Sequence, residues 1–224
     1  MNPIAHIETP FQTKFGVPRQ AGIVEIPARI VFEPEYRVAE ALRGLEDFDY
    51  LWLVWVFSQS EGHAWSPTVR PPRLGGNRRI GVFATRSPFR PNPIGLSSVK
   101  IVSIEHTADL GPVINISGAD LMNGTPILDI KPYLPYTDSH PDARSGFATQ
   151  PADQLLEVEC PQETLSAFSC ELRNLLLDIL AHDPRPQYQH DPDRIYGMSF
   201  YNHEVKFRVD GNKAIVISIG VNND

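Results

Sequence analysis

Two cysteines, Cys160 and Cys170, are all the thiol this 224-residue chain carries. Ten positions apart on a stretch that reads as one helix, they predict reduced side chains rather than a bridge, and a cytoplasmic setting. Long apolar runs are also missing, since none approaches the roughly 20 residues that cross a bilayer. Met1-Asn-Pro-Ile-Ala-His6 has neither a basic nor an apolar export region, so no membrane association is expected. The seven histidines lack metal-ligand spacing, and no metal is expected. No Gly-x-Gly-x-x-Gly follows a strand-like run and no βα unit repeats, which excludes a Rossmann-type nucleotide fold.

Acidic residues are absent from Ala64 to Ile104, where Arg70, Arg73, Arg78, Arg79, Arg86, Arg90 and Lys100 fall. The net charge of −7 is therefore an average over a local basic field and acidic stretches elsewhere. A nucleic-acid partner needs a positive footprint where phosphates run, not a high overall pI, although the same field also reads as a solvated face.

Proline and β-branched residues are plentiful. Ile23 to Phe32, Leu51 to Phe57, Ile80 to Ala84, Leu96 to Ile104, Val113 to Ser117 and Ile127 to Ile130 read as strands separated by Gly, Pro and Asn. Pro34 to Leu42 reads as a helix between them. The pattern predicts a mainly β protein with a small α+β addition. A compact β-barrel fills residues 1–140, residues 141–152 are linker-like, and residues 153–224 carry an amphipathic helix over about Glu163 to Ala181 and a hairpin, Glu204 to Val209 with Ala214 to Ile219. That composition predicts a barrel able to fold by itself.

Two stiff polar loops stand out. In Ala84-Thr-Arg-Ser-Pro-Phe-Arg-Pro-Asn-Pro-Ile-Gly95, Pro88, Pro91 and Pro93 fix backbone φ and remove amide donors, while Arg86, Arg90 and Asn92 remain to hold a ligand. Taken alone, the segment reads equally as a proline corner with solvated arginines. The second, Asp120 to Asp138, sets Asp129 between apolar neighbours and ends in Lys131-Pro-Tyr-Leu-Pro-Tyr136. A carboxylate in such a strand needs a partner, either a ligand or an ion pair with Lys131 or an arginine.

Pro18-Arg19-Gln20, Val69-Arg-Pro-Pro-Arg-Leu-Gly-Gly76, Gly81-Val-Phe-Ala-Thr-Arg-Ser87, Phe89-Arg-Pro-Asn-Pro-Ile-Gly95, Asp129-Ile-Lys-Pro-Tyr133 and Asp183-Pro-Arg-Pro-Gln-Tyr188 closely resemble the TrmO (TsaA-like) family. The resemblance implies an S-adenosylmethionine-dependent tRNA methyltransferase acting on N6 of threonylcarbamoyladenosine beside the anticodon, built on a β-barrel and working as a homodimer with a composite site. It implies cofactor contacts at Pro18, Arg19, Gln20, Ser58, Gln59, Arg86, Leu96, Ile127, Leu128, Asp129 and Ile130. Arg19 or Arg86 would meet the methionine carboxylate, and the backbone of Ile127 to Ile130 the adenine edge. Ser58 departs from close bacterial members, which carry His there.

For the transfer itself the candidates are Asn92, Asp129 and Tyr133. Asn92 would hold the amino group, although the residue reads equally as one that holds its own loop together, and Tyr133, Tyr136 and Asp138 would reach the base from a neighbouring subunit. Arg70, Arg73, Arg78, Arg79, Phe89, Arg90, Tyr136, Arg185 and Tyr188 are candidates for binding the tRNA anticodon loop, whose unstacked bases suit aromatic and guanidinium surfaces, while the segment from Asp183 to Tyr188 also reads as packing of the small domain on the barrel. A non-catalytic S-adenosylmethionine-binding sensor is the competing reading; it would need neither Asn92 nor a basic face.

Overall fold

The computed structural model describes residues 1–60, 62, 64–148, 155–161, 163–186, 189 and 191–221. In chain order the strands are β1 (Ala5–Glu8), β2 (Pro27–Phe32), β3 (Tyr50–Val56), β4 (Thr68–Val69), β5 (Ile80–Gly81), β6 (Ile94–Thr107), β7 (Gly111–Ser117), β8 (Pro126–Pro132), β9 (Glu157–Glu159), β10 (Tyr196–Phe200), β11 (His203–Asp210) and β12 (Lys213–Val221). The helices are α1 (Pro135–Asp138) and α2 (Cys170–Ala181). Six strands close into a barrel in the order β1-β2-β7-β6-β3-β8.

Alternation builds that barrel. In Tyr50-Leu-Trp-Leu-Val-Trp-Val56 the side chains of Leu51, Leu53 and Trp55 point inward and are buried, while Trp52, Val54 and Val56 point out. Ala5, Ile7, Ile30, Val99, Ile114, Ile116 and Ile127 join them. A barrel this small is filled by its own side chains. A ligand must therefore bind outside the barrel or at its rim.

Every barrel pair is antiparallel, so the loops sort onto two ends. The connections 9–26, 57–93 and 118–125 share one end, here called the upper rim. Residues 33–49, 108–110 and the chain after β8 lie at the lower rim.

A second hydrophobic core lies over a four-stranded sheet, β10-β11-β12-β9, with α2 packed on it through Leu176, Ile179 and Leu180. Phe11, Val24 and Ile26, from the first loop of the barrel, belong to this core alongside Phe168, Met198, Phe200 and Phe207. A Cβ on Gly16 would lie 2.4 Å from Met198 atoms, and the Tyr201 amide donates to the Pro10 carbonyl at 2.8 Å. The first loop of the barrel is thus shared with the core of the C-terminal sheet.

Several elements differ from the sequence reading. The strand expected over Ile23 to Phe32 begins only at Pro27, because Val24 and Ile26 turn into the second core. Ile80 to Ala84 shortens to β5 followed by a 3₁₀ turn over Val82–Ala84. The helix expected from Pro34 to Leu42 is two 3₁₀ turns, Pro34–Tyr36 and Ala39–Leu42. The long helix splits into a 3₁₀ turn over Thr164–Ala167 and α2, whose N-cap Ser169 accepts the Leu172 amide. Cys160 and Cys170 are consequently not on one helix; both are free, Cys160 following β9 and Cys170 opening α2. The Lys131–Tyr136 stretch of the second stiff loop supplies the end of β8 and the start of α1.

Candidate active site

The Pro-rich loop is rigid because it bonds to itself. Thr85 Oγ1 donates to the Val82 carbonyl and receives the Ser87 amide, and the Arg90 amide donates to the Pro88 carbonyl at 2.8 Å. Asn92 and Pro93 carbonyls accept from the Ile94 and Phe57 amides, each at 2.8 Å, which fastens the loop to β6 and to the end of β3. Arg90 is part of this bracing: Nη1 reaches the Thr85 carbonyl at 2.8 Å and the guanidinium lies over the Phe83 ring. Arg86, Phe89 and Asn92 are exposed.

Opposite stands the loop 18–22. Gly22 donates to the Gly118 carbonyl at 2.9 Å, and Gly118 has a positive φ of 86° with Gly22 backbone 3.3 Å from where its Cβ would be, so only glycine fits there. Arg86 Nη1 donates to Gln20 Oε1 and joins the two loops. Arg19 turns the other way, Nη2 donating to the carbonyls of Asp183 at 2.8 Å and Arg185 at 2.9 Å. Of the two arginines considered for a ligand carboxylate, Arg86 bridges the two loops, whereas Arg19 is engaged by the C-terminal segment.

Beneath them lies a buried relay that sequence reading missed. Trp55 Nε1 donates to Ser97 Oγ at 3.0 Å, and Ser97 Oγ donates to Asp120 Oδ1 at 2.5 Å. Burial pushes the Asp120 carboxyl above the usual carboxylate range, opposed by the Ser97 hydroxyl, the Ala21 amide and the nearby Arg86 charge. Gly95 admits the indole: a Cβ there would sit 2.2 Å from the Trp55 ring. The clue was Ser117-Gly-Ala-Asp120, an acid among small residues at a strand end.

Below this rim, on the outer face of β3, β6 and β8, Leu96 is 56% exposed and Ile94 37%. Asp129 lies opposite Val54. Its carboxylate is half-exposed rather than buried, pairs with Lys131 Nζ at 3.0 Å and accepts the Ile130 amide. Between Val54 and Trp55 the β3–β8 register slips by one residue, so Leu128 is the bulge and Ile127 faces Trp55. Ser58 and Gln59, in a 3₁₀ turn after β3, are exposed at the upper rim, and Pro18 lies beside Arg19.

Tyr133, Tyr136 and Asp138 sit at the lower rim. The Tyr133 ring packs on Trp52 and Tyr50, with centroids 5.6 Å and 6.2 Å away. The Leu134 amide and Trp52 Nε1 donate to Asp138 and hold its carboxyl below the usual range. At about 3.3 Å per residue, the six steps from Tyr50 to Val56 separate this cluster from the Pro-rich loop by about 20 Å. Asn92, Asp129 and Tyr133 therefore do not converge within one chain.

Four arginines of the basic field, Arg70, Arg73, Arg78 and Arg79, lie between the paired strands β4 and β5 within the 57–93 loop. Arg70 and Arg78 are exposed, Arg73 is half-buried, and Arg79 donates to Thr68 Oγ1 at 2.7 Å. Arg185 is engaged: its side chain is 10% exposed and forks onto Asp183. Tyr188 lies outside the described residues.

Residues 6–139 match the tRNA-methyltransferase O N-terminal domain, and residues 152–222 match the TrmO C-terminal domain. The chain belongs to the tRNA-methyltransferase O family. Within it, the tRNA (adenine(37)-N6)-methyltransferase of Escherichia coli K12 is 42% identical over 215 residues, covering 92% of this chain and 91% of that one. The enzyme of the same name from Eikenella corrodens is 49% identical over 174 residues, 77% of this chain and 97% of its own. The crystal structure of TrmO from Pseudomonas aeruginosa superposes with a TM-score of 0.77 at 32% identity, over 98% of this chain and 97% of that one. The family thus spans the barrel, the shared loop and the C-terminal sheet together.

Proposed function

We propose that this chain is an S-adenosylmethionine-dependent tRNA methyltransferase that methylates N6 of adenosine 37, and that its substrate carries the threonylcarbamoyl group. The observation that carries this reading is the gathering of Gln20, Ser58, Gln59 and Arg86 at one rim, above an exposed face with Leu96 and Asp129, in a chain similar over 92% of its length to a tRNA (adenine(37)-N6)-methyltransferase.

The donor set fits the cofactor. Arg86 offers a guanidinium to a carboxylate, Asp129 offers an anion to an ammonium or sulfonium, and Leu96 and Ile94 offer apolar area. The bulge at Leu128 supports the backbone of Ile127 to Ile130 as the reader of an adenine edge. Bound S-adenosylmethionine supplies an electrophilic methyl group. Catalysis by the chain is then chiefly positioning. Asn92, on a loop whose backbone is fixed by its own hydrogen bonds, accepts the exocyclic N–H and orients the lone pair. Arg70, Arg73, Arg78 and Arg79 take phosphates, and Phe89 takes a base.

The lower-rim aromatics complete the site from a second copy. Tyr136 is 88% exposed and Tyr133 lies about 20 Å from Asn92 along the barrel, so a homodimer packed through the β3–β6–β8 face supplies what one copy lacks. In this reading the barrel, residues 1–140, holds the cofactor, and residues 153–224, beyond the linker at 141–152, help recognise tRNA.

The test is incubation with methyl-labelled S-adenosylmethionine and total tRNA, followed by digestion to nucleosides. The expected label is in N6-methylated threonylcarbamoyladenosine. Cofactor binding without transfer would instead support a sensor.

A further inference from the structure

We propose that Asp183 and Arg185 are positioning residues of the cofactor pocket, acting through Arg19, and are not contacts to RNA. This rests on the cofactor reading above.

The hook begins where α2 ends. The Asp183 amide donates to the Leu180 carbonyl at 3.1 Å, and Asp183 has a φ of 46°, a left-handed conformation that turns the chain sharply off the helix. Pro184 and Pro186 fix φ on either side of Arg185. Asp183 then closes a fork on its own motif. Oδ1 accepts the Arg185 amide at 3.2 Å and Nε at 2.9 Å, and Oδ2 accepts Nη2 at 3.0 Å. A guanidinium spent on a carboxylate in this bidentate geometry, with a side chain 10% exposed, is poorly placed to meet a phosphate.

What the fork sets is the direction of two carbonyls. Those of Asp183 and Arg185 converge on one donor, Arg19 Nη2, at 2.8 Å and 2.9 Å. The residue after Arg19 is Gln20, which receives Arg86, and the next is Ala21, whose amide meets Asp120. Loop 18–22 is thus tethered from two sides, by the C-terminal hook at Arg19 and by the barrel at Ala21 and Gly22. Loosening the hook frees Gln20 and Arg86 to wander. Lysine at position 185 keeps the charge a phosphate needs but cannot reproduce the fork.

The experiment compares the full chain with Arg185→Lys, Asp183→Asn, Arg19→Lys and the Arg19→Lys/Arg185→Lys double variant. Asp183→Asn keeps both backbone carbonyls, so it is the second probe of the hook should lysine at 185 disturb folding, which circular dichroism reports. S-adenosylmethionine is titrated by calorimetry, tRNA binding is measured across salt, and turnover is measured at varied cofactor. Each single variant is expected to raise the cofactor Kd and KM about 5-fold or more. At saturating cofactor kcat stays at the wild-type value. The double variant binds no worse than the weaker single one, and the salt dependence of tRNA binding does not change. An unchanged cofactor Kd in Arg185→Lys and Asp183→Asn overturns the proposal. So does a tRNA salt slope flattened by about 0.7 to 0.9 in Arg185→Gln, a variant that removes the charge, since that would give Arg185 to a phosphate. Failure of the wild-type chain to bind cofactor overturns the cofactor reading and this proposal with it; failure confined to the variants' predicted effects overturns this proposal alone.

Discussion

Removing the Arg86 guanidinium takes a charge-assisted contact from the rim while leaving the barrel core untouched, since Arg86 is exposed and its partner is Gln20. Arg86→Ala is expected to weaken cofactor binding by about 1.5 to 3 kcal/mol, measured by calorimetry. Asn92→Ala should lower kcat and leave the cofactor Kd near wild type, because the amide acts only as the amine reacts. Asp120 gives a pH signature. Its pKa is raised in the folded chain, so its favourable contribution is complete below 3.8 and is lost as pH rises through the folded pKa. Asp120→Asn keeps an acceptor for Ser97 and has no charge to bury. Its melting temperature should therefore gain on wild type as pH climbs above 4, and a constant difference from pH 4 to 8 would contradict the burial argument. At this scale the sequence made Arg86 and Asn92 legible because prolines advertise a fixed loop. Asp120 was not legible, since its importance comes from Ser97, Trp55 and Ala21, which only the folded barrel brings beside it.

Elements were readable where they satisfy themselves locally. The strict alternation of β3 and the Gly211-centred hairpin of β11 and β12 follow from side-chain period and turn chemistry. β1, four residues long, carries too little pattern and is defined by the neighbours it bridges, β2 and β8. The amphipathic pattern from Glu163 to Ala181 marks burial but not continuity: Leu165 and Phe168 reach the second core from a 3₁₀ turn and its cap, not from α2. The segment between β4 and β5 makes its own prediction. Neutralising Arg70 or Arg78, both exposed on it, should weaken tRNA binding and reduce its log–log salt slope by about 0.7 to 0.9, with cofactor affinity unchanged. An unaltered slope would leave the segment a solvated face.

At the scale of the whole molecule, two hydrophobic cores are joined by the first loop of the barrel, which packs into the second. Phe11, Val24 and Ile26 are nearly inaccessible to solvent in a core they share with α2 and the C-terminal sheet. Exposing three such side chains costs about 1.5 to 3 kcal/mol each, a sum comparable to the 5 to 15 kcal/mol that stabilises a typical domain. A chain ending near Pro151 should therefore aggregate or melt at much lower temperature, as differential scanning fluorimetry would show, despite a linker-like composition that suggested a self-sufficient barrel. Composition reports a loop's polarity, not which distant loop packs beneath the next domain.

The central claim, methylation of adenosine 37, is tested most directly with two tRNA preparations that differ at that nucleotide alone, one bearing threonylcarbamoyladenosine and the other guanosine. Each is incubated with the full chain and S-adenosylmethionine, and its nucleosides are weighed by mass spectrometry. One added methyl per tRNA is expected, on N6 of the modified adenosine, and none on the guanosine form. Equal methylation of both preparations, or none of either by a folded chain that binds the cofactor, would contradict the claim.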